Sequence, residues 1–319
     1  MLKVSMRRIC ALVCVAAVLL CGCSSDRPEL DIKGYTIRFT TGIEKEALID
    51  GEGVSLTDGQ VKLLLSAVRD GYEAALTSDI WAMELDKVPF GSYVDDMVLD
   101  MAARLVLVNM LAQDKHIELN AGETADCAER AELFYSEYAQ TASYVTQGEV
   151  TELFAMMKLS DKVYDELTRD VDTQISVDEA RVIKIQYIYS ESSDAAAESR
   201  LDGALEEYEN GADFASLAGK YSDSQVYSAE IGRGELEQSF EEAAFNLDAG
   251  QISGIVRCDS GLYVIYCIDD NAAGKAESQA ESIIQRRRGE QFESSLADFS
   301  EGITLSLDEK AWEKLKSEY

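Results

Sequence analysis

The chain has 319 residues, of which 60 are acidic and 29 basic, so that its formal net charge is −31. Hydrophobic residues make up 46% of it, enough for folded cores, and the length allows two domains. Binding to nucleic acid depends mainly on Lys and Arg side chains, so the acidic balance argues against a nucleic-acid partner. A well-solvated surface or a preference for basic, unfolded clients explains the acidic excess, and the composition leaves both open.

Residues 1–22 have the pattern of an export signal. Basic residues precede an apolar run that is too short to span a bilayer comfortably. The run closes on Leu20-Cys21-Gly22-Cys23, which resembles the bacterial lipobox, where a small residue precedes a cysteine that receives a diacylglycerol. The resemblance implies lipidation of Cys23 and a protein exported and lipid-anchored at the outer face of a bacterial cell membrane. A plain cleaved signal with incidental cysteines is the alternative.

Residues 23–175 are predicted to be mainly helical. After a short strand at 35–40, Thr57-Asp58-Gly59-Gln60 has the form of a capping box, and it starts a helix with apolar residues at 3.6-residue spacing. Further helical patterns follow at about 94–108, 123–145 and 149–168. We interpret the apolar stripes as core packing, with an exposed chaperone surface as the alternative.

Residues 181–269 alternate between strand and helix patterns. A β-branched alternation over 182–189 predicts a central strand, and helical patterns follow it. Two apolar runs, 252–256 and 262–268, are predicted to pair as a hairpin across Asp259-Ser260-Gly261. Together these patterns predict a compact βαβ-type unit.

This stretch resembles a parvulin-type peptidyl-prolyl isomerase domain. The residues that carry the resemblance occur in the family's order: Phe214, Tyr221-Ser222, Glu230-Ile231-Gly232, Leu236, Phe240-Glu241, Ala244-Phe245 and Gly261-Leu262-Tyr263-Val264-Ile265. The resemblance implies an α+β fold, with a four-stranded sheet and helices, that accelerates rotation about X-Pro bonds without a cofactor or metal. The enzyme need only hold the proline ring in an apolar pocket and favour the twisted amide.

The resemblance also places the site residues. The apolar wall of the pocket falls on Leu236 and Phe240, with Phe245 behind them, and the serine before the last-strand glycine is kept as Ser260. The family's polar positions are changed, since its two histidines fall on Tyr187 and Tyr263 and its Cys or Asp after the Tyr-Ser pair falls on Ser224. These three positions either form an altered hydrogen-bonding network, because hydroxyls donate and accept, or serve packing alone.

Residues 271–319 predict a long helix at about 276–300, whose Arg286-Arg287-Arg288 we interpret as a solvated face, and a strand at 303–307. This strand is a candidate partner for the strand at 35–40. We therefore expect residues 23–175 and 271–319 to form one domain in which an isomerase-like domain, 176–270, is inserted. This layout resembles PrsA-like foldase lipoproteins and SurA-type chaperones.

Cysteine usage argues against a disulfide framework, because an odd number, Cys127, Cys258 and Cys267, remains after the leader. No Cys and His residues have metal-site spacing, and His116 is the single histidine. The leading hypothesis is a lipid-anchored isomerase that acts on unfolded exported proteins with X-Pro bonds. The alternative is a holdase chaperone whose isomerase-like domain has lost its chemistry. A substrate-binding lipoprotein is a third possibility, disfavoured because the sequence lacks a doubly wound pattern.

Overall fold

The computed structural model describes residues 29–32, 34–40, 47–138, 142–272 and 274–318. They form two compact units: the first comprises residues up to 170 together with 290–319, and the second comprises residues 171–289. Cys23 and the rest of the leader lie outside the described residues. No helix in the described ranges is long and apolar enough to cross a membrane.

The strands, in chain order, are β1 (Glu29–Ile32), β2 (Tyr35–Thr40), β3 (Ala47–Gly51), β4 (Val54–Thr57), β5 (Glu84–Leu85), β6 (Val88–Pro89), β7 (Val182–Ser190), β8 (Ser228–Gly232), β9 (Val256–Cys258), β10 (Gly261–Asp269) and β11 (Ile303–Asp308). The α-helices are α1 (Asp58–Leu76), α2 (Phe90–Asp114), α3 (Ala121–Tyr138), α4 (Gln147–Leu167), α5 (Ala195–Glu209), α6 (Phe214–Tyr221), α7 (Gln238–Phe245), α8 (Ala276–Ser300) and α9 (Glu309–Lys316).

The first unit contains a five-stranded sheet of order β1-β2-β11-β3-β4. The predicted pairing of residues 35–40 with the strand near the C-terminus is present, and β11 lies parallel to β2 from Ile303↔Tyr35 to Asp308↔Thr40. The rest of this sheet was not expected from a pattern that is mainly helical. Its strands have only four to six residues, too few for a clear alternation.

The predicted capping box at Thr57 and Gln60 is confirmed, and a second one occurs at Thr146 and Glu149. The two boxes are linked, because the Thr57 hydroxyl donates to Glu149 Oε1 at 2.6 Å and Gln60 Nε2 donates to the Glu149 carbonyl at 2.9 Å. The starts of α1 and α4 therefore fix each other. The apolar faces of both helices pack into one core with α2.

The second unit contains a four-stranded sheet of order β8-β7-β10-β9 in which each neighbouring pair is antiparallel. A βαβ unit has parallel strands, so that expectation is wrong for this sheet. The four strands and the helices of the expected fold are present. The first hairpin strand is also shorter than predicted. The Ser253 hydroxyl accepts the Ile265 N–H at 2.9 Å in place of a backbone carbonyl, so regular pairing begins only at Val256.

Helices cover both faces of this sheet, because successive strand residues point to opposite faces and both faces carry apolar side chains. The first core, between the sheet and helices α5 and α6, includes Ile188, Leu262 and Val264. The second core, on the face that carries α7, includes Ile183, Ile185, Phe240, Phe245 and Ile265.

The arginine run at 286–288 is not simply a solvated face. Arg287 donates to the carbonyls of Asp172 and Gln174 at 3.0 and 3.2 Å and forms an ion pair with Glu179. Arg286 donates to the Gly234 carbonyl at 3.2 Å. These contacts hold the first part of α8 against the segments around 172–179 and at Gly234, all within the second unit. A run of arginines in the sequence does not show which backbone carbonyls they will bind.

Candidate functional site

An aromatic cluster lies on the α7 face of the four-stranded sheet. Tyr187 and Tyr189 stand two residues apart on β7 and so point to the same face. Tyr263 on β10 is the cross-strand partner of Tyr189, and α7 adds Phe240. Two of the residues predicted for catalysis and one predicted for binding are thus brought together with Tyr189, which the sequence analysis did not single out.

The rings of this cluster contact one another in edge and tilted arrangements. The Phe240 and Tyr263 ring centroids are 4.9 Å apart at 84°, and those of Tyr187 and Phe240 are 6.2 Å apart at 85°. Tyr189 and Tyr263 lie 4.9 Å apart at 34°. Such geometries suit the charge distribution of aromatic rings. Phe240 is buried whereas Tyr187 and Tyr263 are half-buried, so the cluster has an apolar floor and a partly accessible rim.

Hydroxyl groups line this rim. Ser260 Oγ and the Tyr263 hydroxyl form a hydrogen bond of 3.1 Å, and the Tyr189 hydroxyl donates to the Ser260 carbonyl at 2.7 Å. Burial, followed by the charges of Tyr263, Glu191 and Asp223, raises the pKa of Tyr189, so its hydroxyl stays protonated at neutral pH. Ser260 and Tyr263, both predicted for the site, are therefore joined in one hydrogen-bonding network.

Glu237 connects the start of α7 to the turn between β9 and β10. Its two carboxylate oxygens accept the Asp259 N–H at 2.9 and 3.0 Å, and Oε1 also accepts from the Ser239 hydroxyl at 2.7 Å. The Ser239 hydroxyl and then the Asp259 and Ser260 N–H groups hold the pKa of Glu237 below its usual value. The carboxylate therefore stays charged and fixes the turn that carries Ser260.

The remaining predicted residues have different surroundings. Leu236 leaves 44% of its surface exposed, four residues before Phe240 in the chain, an unusual exposure for a large apolar side chain. Phe245 is buried, with the Arg181 and Arg233 guanidinium groups 5.1 and 4.3 Å from its ring centroid. Phe245 thus supports the second core beneath α7.

Ser224 lies in the loop that follows α6. Its hydroxyl donates to the Val226 carbonyl at 2.6 Å and accepts the Val226 N–H at 3.2 Å, bonds typical of a local turn. The same loop runs beside β7, because Asp223 N donates to the Tyr189 carbonyl at 2.8 Å and Tyr187 N donates to the Tyr227 carbonyl at 2.9 Å. Ser224 is therefore near the tyrosine strand in the fold but is engaged within its own loop.

The sequence analysis missed Tyr189 and Glu237. The alternation of Tyr187 and Tyr189 along β7 could have pointed to Tyr189, since residues two apart share a face. No local pattern marks Glu237, whose partner Asp259 lies 22 residues further along the chain.

Comparison with known families identifies the domain that contains this aromatic cluster. Residues 182–269 match the rotamase family, described as a PPIC-type PPIASE domain. This stretch is a parvulin-type peptidyl-prolyl isomerase domain.

Relatives support the PPIC-type domain and extend beyond it. The foldase protein PrsA of Caldanaerobacter subterraneus subsp. tengcongensis is 28% identical over 235 residues, which are 69% of this chain and 71% of that protein. Foldase protein PrsA 3 of Bacillus cereus is 36% identical over 93 residues, 27% of this chain and 31% of that protein. The chaperone SurA of Nitrosococcus oceani is 30% identical over 28% of this chain and 24% of that protein.

Among solved structures, PrsA from Bacillus cereus is similar over 73% of this chain and 85% of the PrsA chain, at 16% identity and a TM-score of 0.41.

Within the PPIC-type domain, the buried Phe240 and the hydroxyl network place an apolar surface beside neutral hydrogen-bond donors. In the described ranges, no group of three or more His, Cys, Asp and Glu side chains is arranged to hold a metal ion.

Proposed function

We propose that this chain is a peptidyl-prolyl cis–trans isomerase that assists the folding of exported proteins. The observation that supports this most directly is the contact between the rings of Phe240 and Tyr263, whose centroids are 4.9 Å apart. It lies beside the hydrogen bond between the Ser260 and Tyr263 hydroxyls. Phe240 and the exposed Leu236 would seat the proline ring. Rotation about the X-Pro bond has a barrier of about 20 kcal/mol and breaks no bond, so neutral donors that favour the twisted amide can lower it.

A second candidate is a holdase that binds unfolded peptide without catalysis. The tyrosines at the family's histidine positions favour it, and so do the exposed side chains of Leu76, Met83 and Leu85 in the first unit, which leave 53, 50 and 44% of their surface accessible. Large exposed apolar side chains are typical of surfaces that bind other chains.

Proline-limited refolding separates the two functions. We expect purified protein, produced from residue 24 onward, to accelerate refolding of a substrate with a slow proline step, weakly because the family's histidines are changed. Tyr187→His combined with Tyr263→His should raise the rate if the family network can be rebuilt. Aggregation of a client without slow prolines is measured in parallel. Suppressed aggregation with no acceleration at micromolar protein would reject the isomerase and leave the holdase.

We further propose that the protein is a lipoprotein attached through Cys23 to the outer face of a bacterial cell membrane. The support is the lipobox-like Leu20-Cys21-Gly22-Cys23 at the end of the apolar run. Cells that express the wild type should incorporate radiolabelled palmitate into the protein, and Cys23→Ala should abolish the label. Label that persists in Cys23→Ala would exclude this attachment site.

The proposed domain arrangement is a signal at 1–22, a chaperone domain from 23–175 and 271–319, and the isomerase domain at 176–270 inserted between them. Its support is β11, which lies between β2 and β3 in the sheet of the first unit. A fragment of residues 24–175 lacks this central strand and should therefore aggregate, whereas residues 176–270 should unfold cooperatively. A stable 24–175 fragment would contradict the insertion.

A further inference from the structure

Three hairpins have two-residue turns in which both turn residues are described, and the one at the site differs from the other two. Glu52 and Gly53 between β3 and β4 have φ of 37° and 100°, and Asp86 and Lys87 between β5 and β6 have φ of 50° and 70°. Positive φ at both turn residues matches the right-handed twist of the paired strands, so the backbone conformation of these two turns is itself compatible with their hairpins.

The turn between β9 and β10 lacks this feature. It connects the paired residues Cys258 and Gly261, but neither Asp259 nor Ser260 has a positive φ. Turns with negative φ at both positions tend to splay the strands they join. Gly261, with a φ of 139°, supplies a positive φ directly after the turn, so the geometry of the turn that carries Ser260 depends on this glycine and on side chains from other elements.

Side chains from two other elements hold this turn. Tyr189 on β7 donates its hydroxyl to the Ser260 carbonyl at 2.7 Å, and Glu237, just before α7, accepts the Asp259 N–H through both carboxylate oxygens at 2.9 and 3.0 Å. The Tyr189 ring also lies close to Gly261, where a Cβ atom would come within 2.9 Å of Tyr189 Cε2 and 2.2 Å of the Ser190 carbonyl oxygen. Tyr189 thus binds the carbonyl of Ser260, and Glu237 binds the N–H of Asp259.

We propose that Tyr189 and Glu237 are positioning residues for the isomerase reaction: they hold the Asp259-Ser260 turn so that the Ser260 and Tyr263 hydroxyls stay at the rim of the aromatic cluster. The proposal rests on the isomerase function proposed above. Neither residue need touch the substrate, since Tyr189 acts through Ser260 and Tyr263, and Glu237 acts through the backbone of the turn.

Steady-state kinetics on a prolyl peptide test the proposal in the protein produced from residue 24 onward. Tyr189→Phe keeps the ring and removes the hydroxyl, and we expect kcat to fall about three- to tenfold with KM little changed. Glu237→Ala should have a similar effect, and Glu237→Gln, which keeps one acceptor, should recover part of it. The control is Tyr221→Phe on α6. It removes the hydrogen bond from the Tyr221 hydroxyl to Glu207, which has the same length of 2.7 Å as the bond from Tyr189 to Ser260. Unchanged kcat in Tyr189→Phe and Glu237→Ala would overturn the proposal.

A double-mutant cycle distinguishes positioning from a general loss of stability. Because Tyr189 acts through the turn, Ser260→Ala should cost much less in the Tyr189→Phe background than in the wild type. Thermal melting should change by a similar small amount in Tyr189→Phe and Tyr221→Phe. Fully additive losses of kcat, or losses that follow the melting temperature across all variants, would contradict a positioning role.

Hydrogen exchange separates failure of this proposal from failure of the isomerase function. We expect the Asp259 and Ser260 amides to exchange at least tenfold faster in Tyr189→Phe and Glu237→Ala than in Tyr221→Phe. An inactive wild type would reject the isomerase function, and with it the positioning of a reaction, while faster exchange would still establish that these side chains hold the turn. Exchange that is equal in all variants would show that they do not.

Discussion

The two faces of the four-stranded sheet carry similar aromatic residues but are covered to different extents. On one face, the ring of Phe214 on α6 stacks on the ring of Tyr266 on β10 with centroids 5.3 Å apart, and the helices α5 and α6 have 15 and 8 residues. On the other face, α7 has only 8 residues and is about 12 Å long. It packs on the isoleucine end of the sheet and leaves Tyr187 and Tyr263 half-buried.

This difference indicates how the fold produces a site. Tyr266 is half-buried, as Tyr187 and Tyr263 are, and packs against the core under α5 and α6, whereas Tyr263 also forms a hydrogen bond with the hydroxyl of Ser260. The covered face should therefore respond to mutation through stability alone. The open face should respond through activity as well.

The largest effect expected is that of truncating the buried ring on each face. Phe240→Ala and Phe214→Ala remove side chains that are 6% and 3% exposed, and each should cost about 3–5 kcal/mol of unfolding free energy. At a temperature where both variants are folded, only Phe240→Ala should lose isomerase activity, by more than tenfold. Urea unfolding and refolding kinetics measure the two quantities. Where the Ala variants do not fold, Phe240→Leu and Phe214→Leu allow the same comparison, and equal activity in the pair would remove the distinction between the faces.

A smaller effect is expected at the exposed edge of the open face. Leu236 is 44% exposed, so Leu236→Ala should change the unfolding free energy by less than about 1 kcal/mol while lowering kcat/KM several-fold, because the proline ring loses an apolar contact. Ile268→Ala, at a residue that is 37% exposed further along β10, is the matched control and should leave activity unchanged. Equal activity losses in the two variants would indicate a nonspecific effect on the domain.

Much of this fold follows from local sequence patterns. The capping box at Thr57 and Gln60, the long helix at 276–300 and the strand over 182–190 are each specified by residues close together in the chain. The five-stranded sheet is not, because its short strands come from both ends of the first unit. Antiparallel pairing of β7 with β10 likewise depends on contacts about eighty residues apart, which a pattern of alternating strands and helices does not encode.

The site could be predicted only in part for the same reason. Similarity to the parvulin pattern points to Phe240, Ser260 and the tyrosines at 187 and 263, and the structure brings these four together. Tyr189 and Glu237 act through the turn between β9 and β10. Their role depends on hydrogen bonds to Ser260 and Asp259, which lie 71 and 22 residues away in the chain and which no local pattern marks.

The smallest effect concerns an ion pair on the covered face. Arg200 on α5 donates to both carboxylate oxygens of Asp223 at 2.8 and 2.9 Å, and this pairing, before all other causes, lowers the pKa of Asp223. A depressed carboxyl pKa adds stability that is fully present above the unfolded value of about 4 and is lost as the pH falls through the folded value. Because both side chains are partly exposed, this contribution should be at most about 1 kcal/mol.

Asp223→Asn tests this contribution by urea unfolding between pH 7 and pH 2. The variant should be slightly less stable than the wild type at pH 7, and the difference should shrink as the wild-type carboxylate is protonated. Isomerase activity at pH 7 should be unchanged, since the ion pair lies on the covered face and the Asp223 N–H that donates to the Tyr189 carbonyl is kept. A difference in stability that stays constant down to pH 2 would exclude the ion pair as its source. A loss of activity at pH 7 would show that the two faces are coupled through the loop after α6.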